Sequence, residues 1–261
     1  MHQLTKTDFI QYLNCPKSLW LLKNKPEDFP KGEFSLFLEK LIKEGYEVEE
    51  YAQQLFPNAV KLPDFGSAEL TKQEIAKGRV QFFQATFETQ KGVLARIDIL
   101  EKKQDNTWHI YEVKSSTSVK KDKKHNHLKD ACFQKHAMIE NGYNVSQVSI
   151  IHLNTDYVRQ GDINPHKLLE IEDVTEQIND LYSSVVNQIN SAITYINKET
   201  ISLNTCTCRE DTRSNHCDSF KYFNPDISDF LYYLSDPETK KTFFSKTLEE
   251  HNKKRARYLH L

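Results

Sequence analysis

Val93-Leu94-Ala95-Arg96-Ile97-Asp98-Ile99-Leu100 and Trp108-His109-Ile110-Tyr111-Glu112-Val113-Lys114 are the two stretches on which the fold of this chain turns. Both are rich in β-branched and aromatic residues, and the polar run Gln104-Asp105-Asn106-Thr107 separates them, which is the signal of a β-hairpin. Side chains alternate across a strand, so Glu112 and Lys114 share a face, and one register sets Asp98 beside them. Two carboxylates and an amine in that arrangement can hold a divalent metal against a phosphodiester.

Glu-x-Lys is a weak signal alone, since about one chance match is expected in a chain of this length. It occurs three times here, at Glu101, Glu112 and Glu238. The first lies at a strand end running into a charged turn and the third in a polar C-terminal stretch, where solvated charge explains them. Only Glu112 and Lys114 interrupt an apolar run. Burying such charges costs several kcal/mol unless they are paired or bound to metal, so they carry a role beyond solubility. A plain ion-pair network is the competing explanation.

The cysteines bear on that choice. Cys15 stands near the N-terminus, and Cys206, Cys208 and Cys217 cluster about 190 positions later, so that only a folded chain brings all four to one metal centre. Cys132 sits in a predicted helix and reads as a small core residue. The N-terminus runs into a short amphipathic helix with no long apolar stretch, so neither a signal peptide nor a membrane span is expected. A reducing cytoplasm is implied, where disulfides are disfavoured. The spacing does not choose between zinc and iron, and a three-cysteine site completed by His216 suffers from His216 adjoining Cys217.

Together these residues resemble the RecB-like branch of the PD-(D/E)xK nucleases that carry an iron-sulfur cluster, a group that includes the CRISPR adaptation exonucleases and the nuclease domain of AddB. The resemblance covers most of the chain and is closest to a bacterial family that opens with Leu-(Ser/Thr)-Lys-(Ser/Thr) and a Cys-Pro-Lys element. Here these are Leu4-Thr5-Lys6-Thr7 and Cys15-Pro16-Lys17. It implies an α/β fold, a restriction-endonuclease-like mixed β-sheet core flanked by helices. An N-terminal helical region over 1–90 would contribute Cys15 and Glu49, a nuclease core would span 91–200, and a C-terminal iron-sulfur clamp would span 201–261. Cys15, Cys206, Cys208 and Cys217 match the order of ligands to a [4Fe-4S] cluster.

The resemblance also implies Mg2+ or Mn2+ as cofactor and DNA, single-stranded or at ends, as partner. Asp98, Glu112, Lys114 and Gln134 would be catalytic, with Glu49, Asp98, Glu112 and the Val113 carbonyl as metal ligands. Glu49 is chosen because it lies four positions after Gly45, ahead of its competitors Glu47 and Glu50. Gln134 fits the last motif, but Met138 stands where that motif has Tyr. Read from its own segment, Leu128 to Met138, Gln134 shares a helical stripe with Leu128, Ala131 and Met138, which turns its amide to the sheet, where Lys114 or a phosphate is an expected partner and an ordinary structural hydrogen bond to a backbone group is the equal alternative.

Between strand and helix, Ser115 to His127 is a polar loop with Lys120, Lys121, Lys123 and Lys124, where DNA phosphates can dock or where the charges are simply solvated. His125 and His127 lie in the same loop. The whole chain is close to neutral, with Lys+Arg 35 against Asp+Glu 37, so nucleic-acid affinity must come from a local basic surface and be sensitive to salt. No Gly-x-x-x-x-Gly-Lys loop is present, which excludes an ATP motor of the chain's own. The 38% hydrophobic content supports a core, and no low-complexity linker or repeat is visible. Helices are predicted over the first 55 residues and from Thr71 to Glu88. Beyond the hairpin come the Gln134 helix, a strand from Val145 to Leu153, an amphipathic helix from Val174 to Ile196, and a partly helical tail. Beside the nuclease, two other functions fit the sequence: a non-catalytic nucleic-acid-binding or scaffold protein of the same fold, and a zinc-stabilised structural protein.

Overall fold

Strands β4 (Val93–Lys102) and β5 (Trp108–Val113) pair antiparallel, with Ile99 opposite Tyr111 and Leu100 opposite Ile110. They lie at the middle of a seven-stranded mixed sheet in a computed structural model, which describes every residue except 1, 31–34, 64–65, 123–125, 213–214, 226–231 and 259–261, and the side chain of Phe37. The order is β2 (Val60–Lys61), β3 (Gln81–Glu88), β4, β5, β6 (Val145–Leu153) and β7 (Leu169–Asp173). The seventh strand, β1 (Leu4–Thr5), runs parallel to β4 at Val93 and Leu94. Thus β4 has β5 beside one end and β1 beside the other, and the two neighbours part at Asp98.

Two helices cover the sheet at β5. Helix α3 (Leu36–Gln53) places Val48 and Ala52 against Phe83, Ile99, Tyr111 and Ile151. Helix α5 (His127–Glu140) sends Gln134 to Glu112, the next residue along β5 and therefore on its other face. The fully buried Phe133 of α5 stacks on Phe9 with ring centroids 5.5 Å apart. Phe9 belongs to α1 (Lys6–Asn14), whose first turn is closed reciprocally: Thr5 N donates to Asp8 Oδ2, and Asp8 N donates to Thr5 Oγ1.

One predicted element is overturned. The helix expected from Thr71 to Glu88 is α4 (Ala68–Ala76), and Gly78, at φ +82, turns the chain out of it. Gln81–Glu88 is instead β3, antiparallel to β4. Phe82 through Phe87 are all buried, so this strand lacks the apolar/polar alternation that marks a half-exposed one, and its sequence does not distinguish it from a buried helix. By contrast β6 falls on Val145–Leu153 as expected, and the amphipathic helix is α7 (Thr175–Ile196).

The chain divides into two units that cut across the 1–90, 91–200 and 201–261 division: Met1–Ile10 with Glu33–Ile193, and Gln11–Gly32 with Thr194–Leu261. The first holds the sheet. The second contains α2 (Pro16–Asn24), a two-stranded hairpin of β8 (Tyr232–Ser235) and β9 (Thr242–Ser245), and α9 (Leu248–Tyr258), where the sequence indicated only a partly helical tail. Phe133→Ala is expected to destabilise the sheet unit by about 3–5 kcal/mol, the cost of an unfilled aromatic site in a close-packed core, measured as a lowered urea midpoint.

Candidate functional site

In the sheet unit the charged residues gather on Glu112. Its side chain is fully buried, and Lys6 Nζ lies 2.5 Å and Lys114 Nζ 2.7 Å from Oε1. Gln134 donates to Oε2. Lys114 reaches on to Asp130 Oδ2 at 2.6 Å. Burial alone raises the pKa of Glu112, but Lys114 and Lys6 outweigh it and hold the carboxyl well below the usual range. Burial likewise opposes charge on both lysines, and their carboxylate neighbours overcome it and raise them.

Asp98 stands on the same side as Glu112, one step beyond the Ile99–Tyr111 pair. Where β5 leaves β4, Val113 N donates to Asp98 Oδ2 at 2.9 Å in place of a ladder bond. Asp98 responds differently from Glu112. Burial first, then the Glu112 charge, push it up to about 7, against the pull of Lys6. Asp98, Glu112, Val113, Lys114 and Glu49 line one cavity of 280 Å³. Glu49 is the half-buried acid of its helix. It accepts from Gln84 and from Gln53, whereas Glu47 is exposed beside Lys43, and Glu50 is exposed too.

Sequence reasoning missed three members of this group. Lys6 sits inside the quoted Leu4-Thr5-Lys6-Thr7 opening, and Asp130 lies one helical turn before Gln134; either offset was a usable signal. Gln84 had none. It adopts φ 60 inside β3, a left-handed conformation costing about 1–3 kcal/mol, and its amide is delivered to Glu49. The expected partner of Gln134 is also corrected: its amide meets the Glu112 carboxylate rather than Lys114, because Lys114 is drawn aside to Asp130. Met138 is fully buried, so no side chain there meets a ligand. Lys120 and Lys121 are exposed, while Lys123, Lys124 and His125 lie outside the described residues. His127 is buried, with Nδ1 accepting from Lys120 N, so it serves the loop's own structure.

The oxygens suit a hard cation. Asp98, Glu112 and Glu49 line one cavity with carboxylate oxygens of the kind Mg2+ or Mn2+ takes, and Gln134 Oε1 and Asp130 Oδ1, on side chains that bond Glu112 and Lys114, are buried without a hydrogen-bond partner. In this structure the lysines provide the positive charge at Glu112, and Glu49, Asp98 and Glu112 are not drawn together as a set of three. Among the described residues the set that is drawn together is sulfur.

That set belongs to the second unit. The Sγ atoms of Cys15, Cys206, Cys208 and Cys217 all lie within 4.8 Å of one another and can hold a metal ion. Local structure explains their positions. Cys15 is the N-cap of α2 with Pro16 at its first position, and its thiol makes no capping bond. Cys206 precedes a short 3-10 helix, Thr207–Glu210, that carries Cys208, and Lys17 ties this segment down through Asn204 O and Thr205 O. Leu21, Phe220 and Phe223 enclose the sulfurs. Hydrogen bonds among the four, those to Cys15 first, hold Cys206 and Cys208 low, while bonds to the same partners push Cys15 and Cys217 up. Four thiols in such close contact are a set that a cation can complete. His216 stacks on Phe220 with centroids 3.6 Å apart and is no part of the set. Cys132 lies apart in α5, its thiol pushed up to about 12 by burial.

No protein-family model and no curated protein matches the chain. Among solved structures it is similar to one titled "Crystal structure of SSO0001", at 11% identity over 83% of each chain with a TM-score of 0.35. No helix among the described residues is long and apolar enough to cross a membrane.

The raised Asp98 pKa has a testable sign. The folded state holds this proton more tightly than the unfolded chain, so its contribution to stability is present at low pH and is lost as pH rises towards about 7. A cation at the site relieves that loss. Any increase in melting temperature that Mn2+ gives is therefore expected to grow between pH 6 and pH 8, and to become independent of pH over that range in Asp98→Asn.

Proposed function

We propose that this chain is a metal-dependent DNA nuclease of the RecB-like PD-(D/E)xK type with a restriction-endonuclease-like core, acting as an exonuclease on single-stranded DNA or DNA ends. One observation carries the reading: Asp98, Glu112 and Lys114, from two strands that part at that point, meet at one cavity with Glu49. Asp98, Glu112, Glu49 and the Val113 carbonyl would hold Mg2+ or Mn2+. When bound, the ion supplies Lewis-acid polarisation of the phosphate and activation of the attacking water. Lys114 neutralises charge growing on the phosphate and positions the water, and Asp130 fixes the direction of its amine. Gln134 orients Glu112. Lys6 must yield Glu112 Oε1 to the ion, and it is then a free cation beside the phosphate. Lys120, Lys121, Lys123 and Lys124 would meet the DNA backbone.

For the cysteines we adopt the [4Fe-4S] cluster on the strength of the resemblance, with a structural role, since hydrolysis needs no electron transfer. One measurement favours the alternative of a zinc-stabilised protein. Four thiolates about 2.3 Å from one tetrahedral ion stand about 3.8 Å apart, which sulfurs within 4.8 Å of one another approach, whereas a four-iron cube needs them spread wider. The occupation of both Glu112 oxygens by protein groups likewise favours a nucleic-acid-binding protein without turnover.

The purified chain is expected to digest labelled single-stranded DNA with Mn2+ or Mg2+ and to stop in EDTA. Asp98→Ala, Glu112→Ala and Lys114→Ala should each lower the rate by three orders of magnitude or more with the circular dichroism spectrum unchanged; wild-type rates in any of them would refute the assignment. Anaerobically purified protein should absorb near 400 nm and lose that absorption in Cys15→Ala, while a colourless preparation holding one zinc per chain identifies the zinc form.

A further inference from the structure

A larger cleft adjoins the Asp98 cavity. It encloses 780 Å³ and is floored by the even-numbered side chains of the paired strands β3 and β4, among them Thr86, Arg96 and Asp98. One wall is α3, through Tyr46 and Glu49; the other is the first turn of α4, with Gly66 and Ser67. The cavity has the volume of a small-molecule site. Its charges are mixed. Glu49, Glu50, Glu88 and Asp98 line it together with Lys6, Lys61 and Arg96, and Arg96 stands two residues from Asp98 on the same face of β4, about 6.8 Å along the strand.

Among the described residues Tyr46 is the one aromatic side chain lining this cleft, and it also lines the smaller cavity with Asp98 and Glu112. It is 64% exposed, although tyrosines ordinarily bury most of the ring. Ile42, one turn earlier, is 41% exposed and shares the smaller cavity. An aromatic face held open one turn from Glu49, over a cleft to which Arg96 and Lys61 bring positive charge, is an arrangement that can receive an unpaired base with its phosphates beside those cations.

We infer that Tyr46 is a base-stacking platform that positions a single nucleic-acid strand in this cleft, with Arg96 and Lys61 receiving the backbone phosphates. The inference rests on the nuclease reading for the direction in which the strand is delivered, but its binding step stands apart from cleavage. Stacking is sequence-tolerant, so the ligand class is single-stranded DNA or RNA of any sequence, and a paired end must fray to enter.

The test uses the full chain with a fluorescein-labelled single-stranded oligonucleotide and, separately, a hairpin-capped duplex, read by fluorescence anisotropy in Ca2+ and in EDTA. Tyr46→Ala is expected to weaken single-strand binding about tenfold or more and to leave duplex binding within about twofold, while Tyr46→Trp retains wild-type affinity. In Mn2+ assays Tyr46→Ala should raise KM in the same proportion with kcat within about twofold. Wild-type single-strand affinity in Tyr46→Ala, or equal losses in Tyr46→Ala and Tyr46→Trp, overturns the inference. A wild-type chain that binds a strand through Tyr46 yet cleaves nothing keeps the inference and overturns the nuclease reading. A chain that neither binds nor cleaves a strand overturns both.

Discussion

A carboxylate with no access to water, Glu112, sets the terms for the sheet unit. A charge in that position survives only if other groups replace its hydration, and here two ammonium groups and an amide do so. Each replacement comes from a different part of the chain: α1, the residue just past the end of β5, and α5. The need to neutralise one group therefore pins the N-terminal strand and helix and the α5 helix to the centre of the sheet. It also separates the behaviour of neighbours. Glu112 is kept ionised by its lysines, and Asp98, which shares the burial but receives less of that positive charge, holds its proton to near neutrality. Two carboxyls made unlike in this way, one held low by its lysines and the other raised by burial, are suited to different tasks.

The same economy is visible in the backbone. Strand β4 would be an ordinary central strand if β5 ran beside its whole length. Instead β5 departs at Asp98 and β1 takes up the other end, so the side chain of Asp98, not a carbonyl, satisfies Val113 N. Opposite it on β3, Gln84 is held in a left-handed conformation and braces Glu49. Strain and broken pairing thus occur within a few residues of the carboxylates, and a further register shift lies at the far end of β5, between Trp108 and His109 where it meets β6.

Legibility in the sequence followed the range of the interactions. The β4–β5 hairpin, β6 and the amphipathic α7 were readable because each is declared by its own residues, through alternation or helical period. The same rule misread Gln81–Glu88, since a strand covered on both sides has no alternation to show. At the site, Asp98, Glu112 and Lys114 stood out as charges inside apolar runs, and Gln134 as a polar residue on an apolar stripe. Lys6, Asp130 and Gln84 carry no such contrast with their surroundings. Lys6 and Asp130 are signalled only by their offsets, within the Leu4-Thr5-Lys6-Thr7 opening and one helical turn before Gln134, and Gln84 is identified by a dihedral angle that no local pattern writes. The four cysteines lay between these cases: their number and grouping were plain, but which neighbour they exclude, His216, was decided by a ring stacking on Phe220.

The sulfur set closes a loop from Cys15 to Cys217, and this imposes an order on biosynthesis. Cys15 leaves the ribosome when the other three ligands have not been translated, and by the time Cys217 emerges the whole of the sheet has been made. Completion of the sulfur set is thus a late event in the life of each nascent chain, and in a polypeptide truncated by a premature stop before Cys206 the Cys15 thiol lacks its three companions, while Trp20 and Asn24 still tie α2 to the backbone at Lys198 and Ile196.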